Sequence, residues 1–122
     1  MLGKEQVRTI AQMYSNEVRK VLNPVSVILF GSYVNGNPNE NSDIDIAVLV
    51  SNVEGDDWYN SRILLQKIRW NEDNFTDIEP HLLDEDHDPS GFVKHVIKTG
   101  EVVYQAVYVP TSKRSVGVGM IK

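Results

Sequence analysis

Two aspartates one residue apart, Asp43 and Asp45, follow a glycine–serine pair, Gly31 and Ser32, after ten intervening residues. On an extended chain, side chains at i and i+2 project to one face, with Cα atoms roughly 6.5 Å apart. Paired carboxylates of this kind suit magnesium, which takes one or two carboxylates together with phosphate oxygens and water. They can also bridge two ions about 3.5–4 Å apart, clamping the attacking and leaving oxygens of a phosphoryl transfer. Without cations the pair is unfavourable: two unit charges about 4 Å apart repel by about 4 kcal/mol at an effective dielectric near 20. Gly31 and Ser32 supply the other half of a site. A residue without a Cβ lets backbone approach a ligand, and a serine offers a hydroxyl and an N–H to phosphate oxygens. Taken singly, Gly-Ser is a turn and Asp-x-Asp a solvated strand end. Joined on adjacent strand ends, they are specific.

The flanking sequence provides those strands. Val25–Phe30 is a short apolar run rich in β-branched residues, and Asp43–Val50 is a second, apolar on both faces after its first residues. Between them Asn35–Ser42 holds four asparagines, a glycine and a proline, which makes it a turn or loop. It is too short for a helical crossover, so the two strands should be antiparallel neighbours. Upstream, Val7, Ile10, Tyr14, Val18 and Val21 recur at helical spacing until Asn23-Pro24 stops the helix. Downstream, Asp56 or Asp57 is placed to cap a helix over Trp58–Trp70, with Leu64, Leu65 and Ile68 inward. Phe75–Leu83 alternates as a third strand, where Pro80 indicates an edge or a strand end. A short helix with Phe92, Val93, Val96 and Ile97 on one face ends at Gly100, which suits a C′ position, and Val102–Tyr108 forms the last strand. The order predicts an α/β (α+β) domain: a small mixed sheet of about four strands with helices packed mainly on one side.

Composition narrows the function. The chain has 122 residues, room for one domain with one core. It has no cysteine, which excludes a disulfide scaffold, a thiol nucleophile and cysteine-ligated zinc. No apolar run reaches the roughly 20 residues a membrane span needs, and Met1–Arg8 has no signal-peptide core, so a cytoplasmic location is expected. Twelve basic and seventeen acidic residues give a net charge of −5. Three of the bases lie in the acid-free tail from Val109, which leaves nine bases against seventeen acids in the body. So acidic a body disfavours stable nucleic-acid binding.

At residues 27–50, with Gly31-Ser32, ten intervening residues and Asp43-x-Asp45, the chain resembles the DNA polymerase beta nucleotidyltransferase superfamily. The phrase Ser42-Asp43-Ile44-Asp45 and the length are similar to its minimal nucleotidyltransferases. The resemblance divides the chain into a nucleotidyltransferase domain over 1–108 and a weakly ordered basic tail over 109–122. It implies a nucleoside triphosphate, ATP or another, bound with two magnesium ions (Mg2+), and transfer of a nucleoside monophosphate to a hydroxyl. Carried over, Gly31 and Ser32 would hold the triphosphate, and Asp43 and Asp45 the metals. The family's third carboxylate follows an apolar residue on a later strand, which selects Glu79 after Ile78 as third ligand and general base. Asp77 shares its strand face and is the alternative. Glutamate stands where the family usually has aspartate, one methylene shorter.

The resemblance also implies a setting. Many minimal nucleotidyltransferases are antitoxins that modify a tyrosine of a helical HEPN ribonuclease, so a HEPN-type protein is the expected partner, beside a possible homo-oligomer. The chain lacks the arginine–histidine spacing of that ribonuclease. The other readings are a catalytically weak antitoxin acting by contact, and a nucleotidyltransferase for a small-molecule acceptor such as an aminoglycoside, whose enzymes carry a further helical domain. With the sheet and helices using nearly all of the chain, the acceptor should arrive in trans. Exposed apolar residues around Trp58, Tyr59 or the last strand would dock it. Of the remaining residues, His81, His87 and His95 with the acids of 84–88 match no strong metal-ligand spacing and read as an acidic surface loop, although His81 shares a strand face with Glu79. Arg62 and Lys67 read as a solvated helix face, and Trp70 as core or interface.

Overall fold

Val7, Ala11, Tyr14, Ser15 and Val18 form one buried stripe along the first helix, α1 (Lys4–Val21). Val21, expected on that stripe, lies in the last turn and is exposed; Ala11 and Ser15 complete the inner face instead. The helix gives way to extended backbone at Leu22, just before Asn23-Pro24. The computed structural model describes residues 2–53 and 55–107; Tyr108 and the tail 109–122 lie outside the described residues.

Strand β1 (Ser26–Phe30) follows, then a one-turn helix α2 (Ser32–Asn35), strand β2 (Ile44–Val50) and helix α3 (Gly55–Trp70). After a 3-10 turn (Asp73–Phe75) come strand β3 (Ile78–Asp84), helix α4 (Phe92–Thr99) and strand β4 (Glu101–Gln105). The sheet order is β3-β2-β1-β4. As the short connection requires, β1 and β2 pair antiparallel. β4 pairs antiparallel to the other side of β1, and β3 runs parallel to β2 after the α3 crossover. Pro80 therefore sits on an edge strand, where a missing donor is tolerated.

Strand alternation splits the core in two. Val27, Leu29, Ile44, Ile46, Val48 and Ile78 face α1, α3 and the 3-10 turn. Ile28, Ala47 and Leu49 face the other way and meet Val93 and Val96 of α4. Helices thus cover mainly one side, with α4 alone on the other. In the larger cluster Tyr14 meets Phe75 edge-on, with ring centroids 5.3 Å apart, and donates its hydroxyl to the Leu65 carbonyl at 2.8 Å. Burial pushes this phenol well above its ordinary pKa and keeps it a neutral donor.

Local details correct the sequence reading in three places and add to it in a fourth. Phe75 belongs to the 3-10 turn, and β3 starts only at Ile78. Asp56 and Asp57 are not caps; they lie inside the first turn of α3, where negative charge meets the positive helix end. Gly100 has an ordinary φ of −87°, so it is no left-handed C′ residue. It is needed for space: a Cβ there would run into the Ile28 side chain and stand 2.8 Å from the Val96 carbonyl oxygen. Finally, the acidic loop is organised by its own carboxylates. Asp88 accepts the backbone N–H groups of Val93 and Lys94 at 2.9 and 3.1 Å, capping α4. The Val93 bond foremost holds this carboxyl below its usual range.

Candidate functional site

The register of the sheet assembles the site. Phe30, the last residue of β1, pairs with Asp45, and Asp45 pairs across the parallel ladder with Glu79. Strand alternation turns Asp45, Glu79 and His81 toward the α4 face, because Ile44, Ile46 and Ile78 occupy the other. Asp43 lies one residue before β2 and is exposed, as is Glu79; Asp45 is partly buried. Ile44 donates its backbone N–H to the Asp77 carbonyl at 2.7 Å, so Asp77 lies beside the start of β2. The two candidates for third carboxylate are therefore neighbours of different aspartates: Glu79 of Asp45, and Asp77 of the Asp43–Ile44 segment.

Gly31 joins the two halves. Its φ of +85° is a conformation that side-chain-bearing residues rarely adopt. A Cβ built on it would collide with Asp45 Oδ2, so the carboxylate lies against the bare backbone. Immediately afterwards the chain turns into α2, whose Val34 and Asn35 N–H groups bond the Gly31 carbonyl at 3.0 and 2.9 Å. Ser32 is the first residue of that turn, where helix N–H groups have no partner within the helix. The sequence reading placed only a turn here, because a four-residue helix is too short to show a period.

His81 was underweighted by sequence. Its Nε2 lies 3.1 Å from Asp45 Oδ1, and its ring packs edge-on against Phe30 with centroids 5.0 Å apart. The strand spacing from Glu79 to His81 was the available signal. Among the described residues no three His, Asp or Glu side chains converge as a ready metal cluster. His87 lies in the acidic loop, whereas His95, read with that loop from the sequence, stands on the exposed side of α4.

The donor set nevertheless suits the metal. Asp43, Asp45 and Glu79 offer only carboxylate oxygens, the ligands that magnesium prefers, at the ends of neighbouring strands. The space left open by the missing Gly31 side chain gives the Asp45 carboxylate its place beside the Gly31–Ser32 turn.

Residues 8–107 match the family model described as Polymerase beta, Nucleotidyltransferase. The chain belongs to this family. A candidate nucleotidyltransferase of Sulfolobus solfataricus superposes with a TM-score of 0.60 at 21% identity, over 84% of this chain and 83% of that one. A mutant of the toxin–antitoxin MntA-HpeT gives 0.51 at 22% identity, over 86% and 75%. Both likenesses concern the fold. No curated protein matches the chain. In this nucleotidyltransferase the family match spans Gly31, Ser32, Asp43, Asp45 and Glu79 alike. Among its described residues no helix is long and apolar enough to cross a membrane.

Proposed function

We propose that this nucleotidyltransferase moves AMP from ATP to a hydroxyl of a partner protein, as the antitoxin of a HEPN-type toxin–antitoxin pair. The observation that supports the chemistry is the Phe30–Asp45–Glu79 register, which brings the turn at Gly31-Ser32 and two carboxylate residues onto neighbouring strand ends. The fold likeness to a toxin–antitoxin component supports the setting.

Asp43, Asp45 and Glu79 would hold magnesium, which neutralises phosphate charge and polarises the phosphorus when bound. Exposed Asp43 and Glu79 have the freedom to turn toward Asp45 as it binds. The backbone at Gly31 and the hydroxyl of Ser32 fix the triphosphate. Glu79 accepts the proton of the acceptor hydroxyl, whose oxygen forms a bond to the α-phosphorus. The bond from that phosphorus to the β-phosphate oxygen breaks, and pyrophosphate leaves with its electron pair. Most of the catalysis is positioning.

Glu79→Gln should abolish turnover while leaving triphosphate affinity largely intact, and Asp77→Asn should leave measurable turnover. Single-turnover transfer from labelled ATP, alongside calorimetry with a non-hydrolysable analogue, separates the two. The reverse pattern would move the proton acceptor to Asp77. Incubation with each labelled triphosphate and a HEPN-type protein tests donor and acceptor. Robust transfer to an aminoglycoside by the chain alone would overturn the protein-acceptor reading.

A further inference from the structure

His81 is outside the carboxylate set, yet it touches the middle of it. It stands on β3 two residues beyond Glu79, and both side chains belong to the α4 face of the sheet. Its Nε2 lies 3.1 Å from Asp45 Oδ1. An ionised carboxylate can only accept, so Nε2 carries the hydrogen. The imidazole is itself held by aromatic contacts. Phe30 meets it edge-on, with centroids 5.0 Å apart, and Phe30 in turn meets Phe92 of α4 at 5.8 Å. The other oxygen of Asp45, Oδ2, lies against Gly31, in the space a Cβ would fill. Each oxygen of this carboxylate thus has a neighbour of its own.

We infer that His81 is a positioning residue, whose Nε2–H anchors Asp45 Oδ1 and so keeps Oδ2 at the Gly31–Ser32 turn. The inference rests on the proposed transfer reaction and adds what orients its central carboxylate. The last torsion of an aspartate side chain is broad, and contact with Gly31 restrains only one of the two oxygens. A donor on the other oxygen removes the remaining freedom. Shielding makes that donor effective: the His81 side chain is 33% exposed and that of Asp45 26%, so water competes less than it does at exposed Asp43 and Glu79. Those two carboxylates can adjust to an ion, whereas Asp45 sets where the ion must lie. Phe30 ties the arrangement to the turn, because it pairs with Asp45, packs on His81 and immediately precedes Gly31. Removing a hydrogen bond that orients a metal-binding group costs roughly 10–100-fold in metal affinity or activity.

Mn2+ is the probe, because its EPR signal reports binding directly, and the share due to the site is the part that Asp43→Asn/Asp45→Asn removes. His81→Phe keeps a ring against Phe30 and loses the donor, whereas His81→Gln carries an amide N–H of similar reach. His81→Phe should weaken that binding by roughly 10–100-fold, and His81→Gln should recover most of it, with melting temperatures that differ little. In transfer from labelled ATP at a fixed magnesium concentration, the loss in His81→Phe should fall on kcat and leave the KM for the acceptor unchanged. Unaltered Mn2+ affinity in His81→Phe, or a His81→Gln as weak as His81→Phe, would overturn the inference. Nitrogen hyperfine coupling to the bound Mn2+ that disappears in His81→Phe would overturn it too, by making His81 a ligand of the ion. The expected affinity pattern without transfer to any acceptor would support the anchor and refute the reaction. Transfer undiminished in His81→Phe would support the reaction and overturn the anchor. If the unsubstituted protein shows no such share of binding, the metal site and the inference fall together.

Discussion

Asp45→Asn should lower kcat/KM for nucleotidyl transfer by about 10³-fold or more, roughly 4 kcal/mol of transition-state stabilisation. The substitution keeps the shape that lies against Gly31 and removes the charge. Combined with Asp43→Asn, it should also remove the rise in triphosphate affinity that magnesium produces. Calorimetry with and without the metal checks this. Equal affinity in both conditions for the unsubstituted protein would end the metal-site reading. The stability of the double variant should change little, by about 1 kcal/mol at most. Asp43 is exposed and its repulsion is weakened by solvent. Asp45 also already has a neighbour in His81 at 3.1 Å. Loss of activity therefore cannot be attributed to unfolding.

Gly31→Ala is expected to be nearly as damaging, for a steric reason. At a φ of +85° and ψ of −153° a side chain adds strain of order 1–3 kcal/mol, and here the new methyl also meets the Asp45 carboxylate. Either the aspartate or the Gly31 backbone must move. Transfer should fall by about 10²-fold or more, because displacements near 1 Å have effects of that size. Gly91→Ala is the control. Its φ is +79°, but nothing lies within 4 Å of a Cβ there, so a methyl group would touch none of the carboxylates. It should lower the melting temperature by several degrees while preserving transfer. Comparable loss of transfer in both variants, measured on folded protein, would show that Gly31 matters only for backbone strain.

Much of this architecture was legible in the sequence for identifiable reasons. The polar connection Asn35–Ser42 is too short for a helical crossover, and it dictated the antiparallel β1–β2 pair. Pro80 marked β3 as an edge. The helical period of Val7, Tyr14 and Val18 revealed α1. What escaped depends on contacts between distant residues or on elements too short for a pattern. Nothing near Gly100 in sequence announces that Ile28 occupies the space beside it. One helical turn at Ser32 carries no periodicity, and the aim of Asp88 at α4 depends on how the loop turns back. Because β2 is apolar on both faces, the sequence left open which face α4 would cover. Likewise Tyr59 and Trp70 could be read as core until α3 was seen to bury a different stripe.

The sheet order also fixes the sequence in which the machinery can assemble. Phe30 and Asp45 are fifteen positions apart, Asp45 and Glu79 thirty-four, and Leu29 and Glu101 seventy-two. Closure entropy grows with each of these separations, and non-local pairing slows folding. The hairpin bearing Gly31, Ser32, Asp43 and Asp45 is thus the part reached earliest, and the strand bearing Glu79 joins only after the α3 crossover closes. Pulse-labelled hydrogen exchange during refolding should protect the amides of β1 and β2 before those of β4; simultaneous protection would contradict it. On the proposed roles, a chain still being completed would form the turn assigned to triphosphate before it gains Glu79, the residue assigned to take the proton.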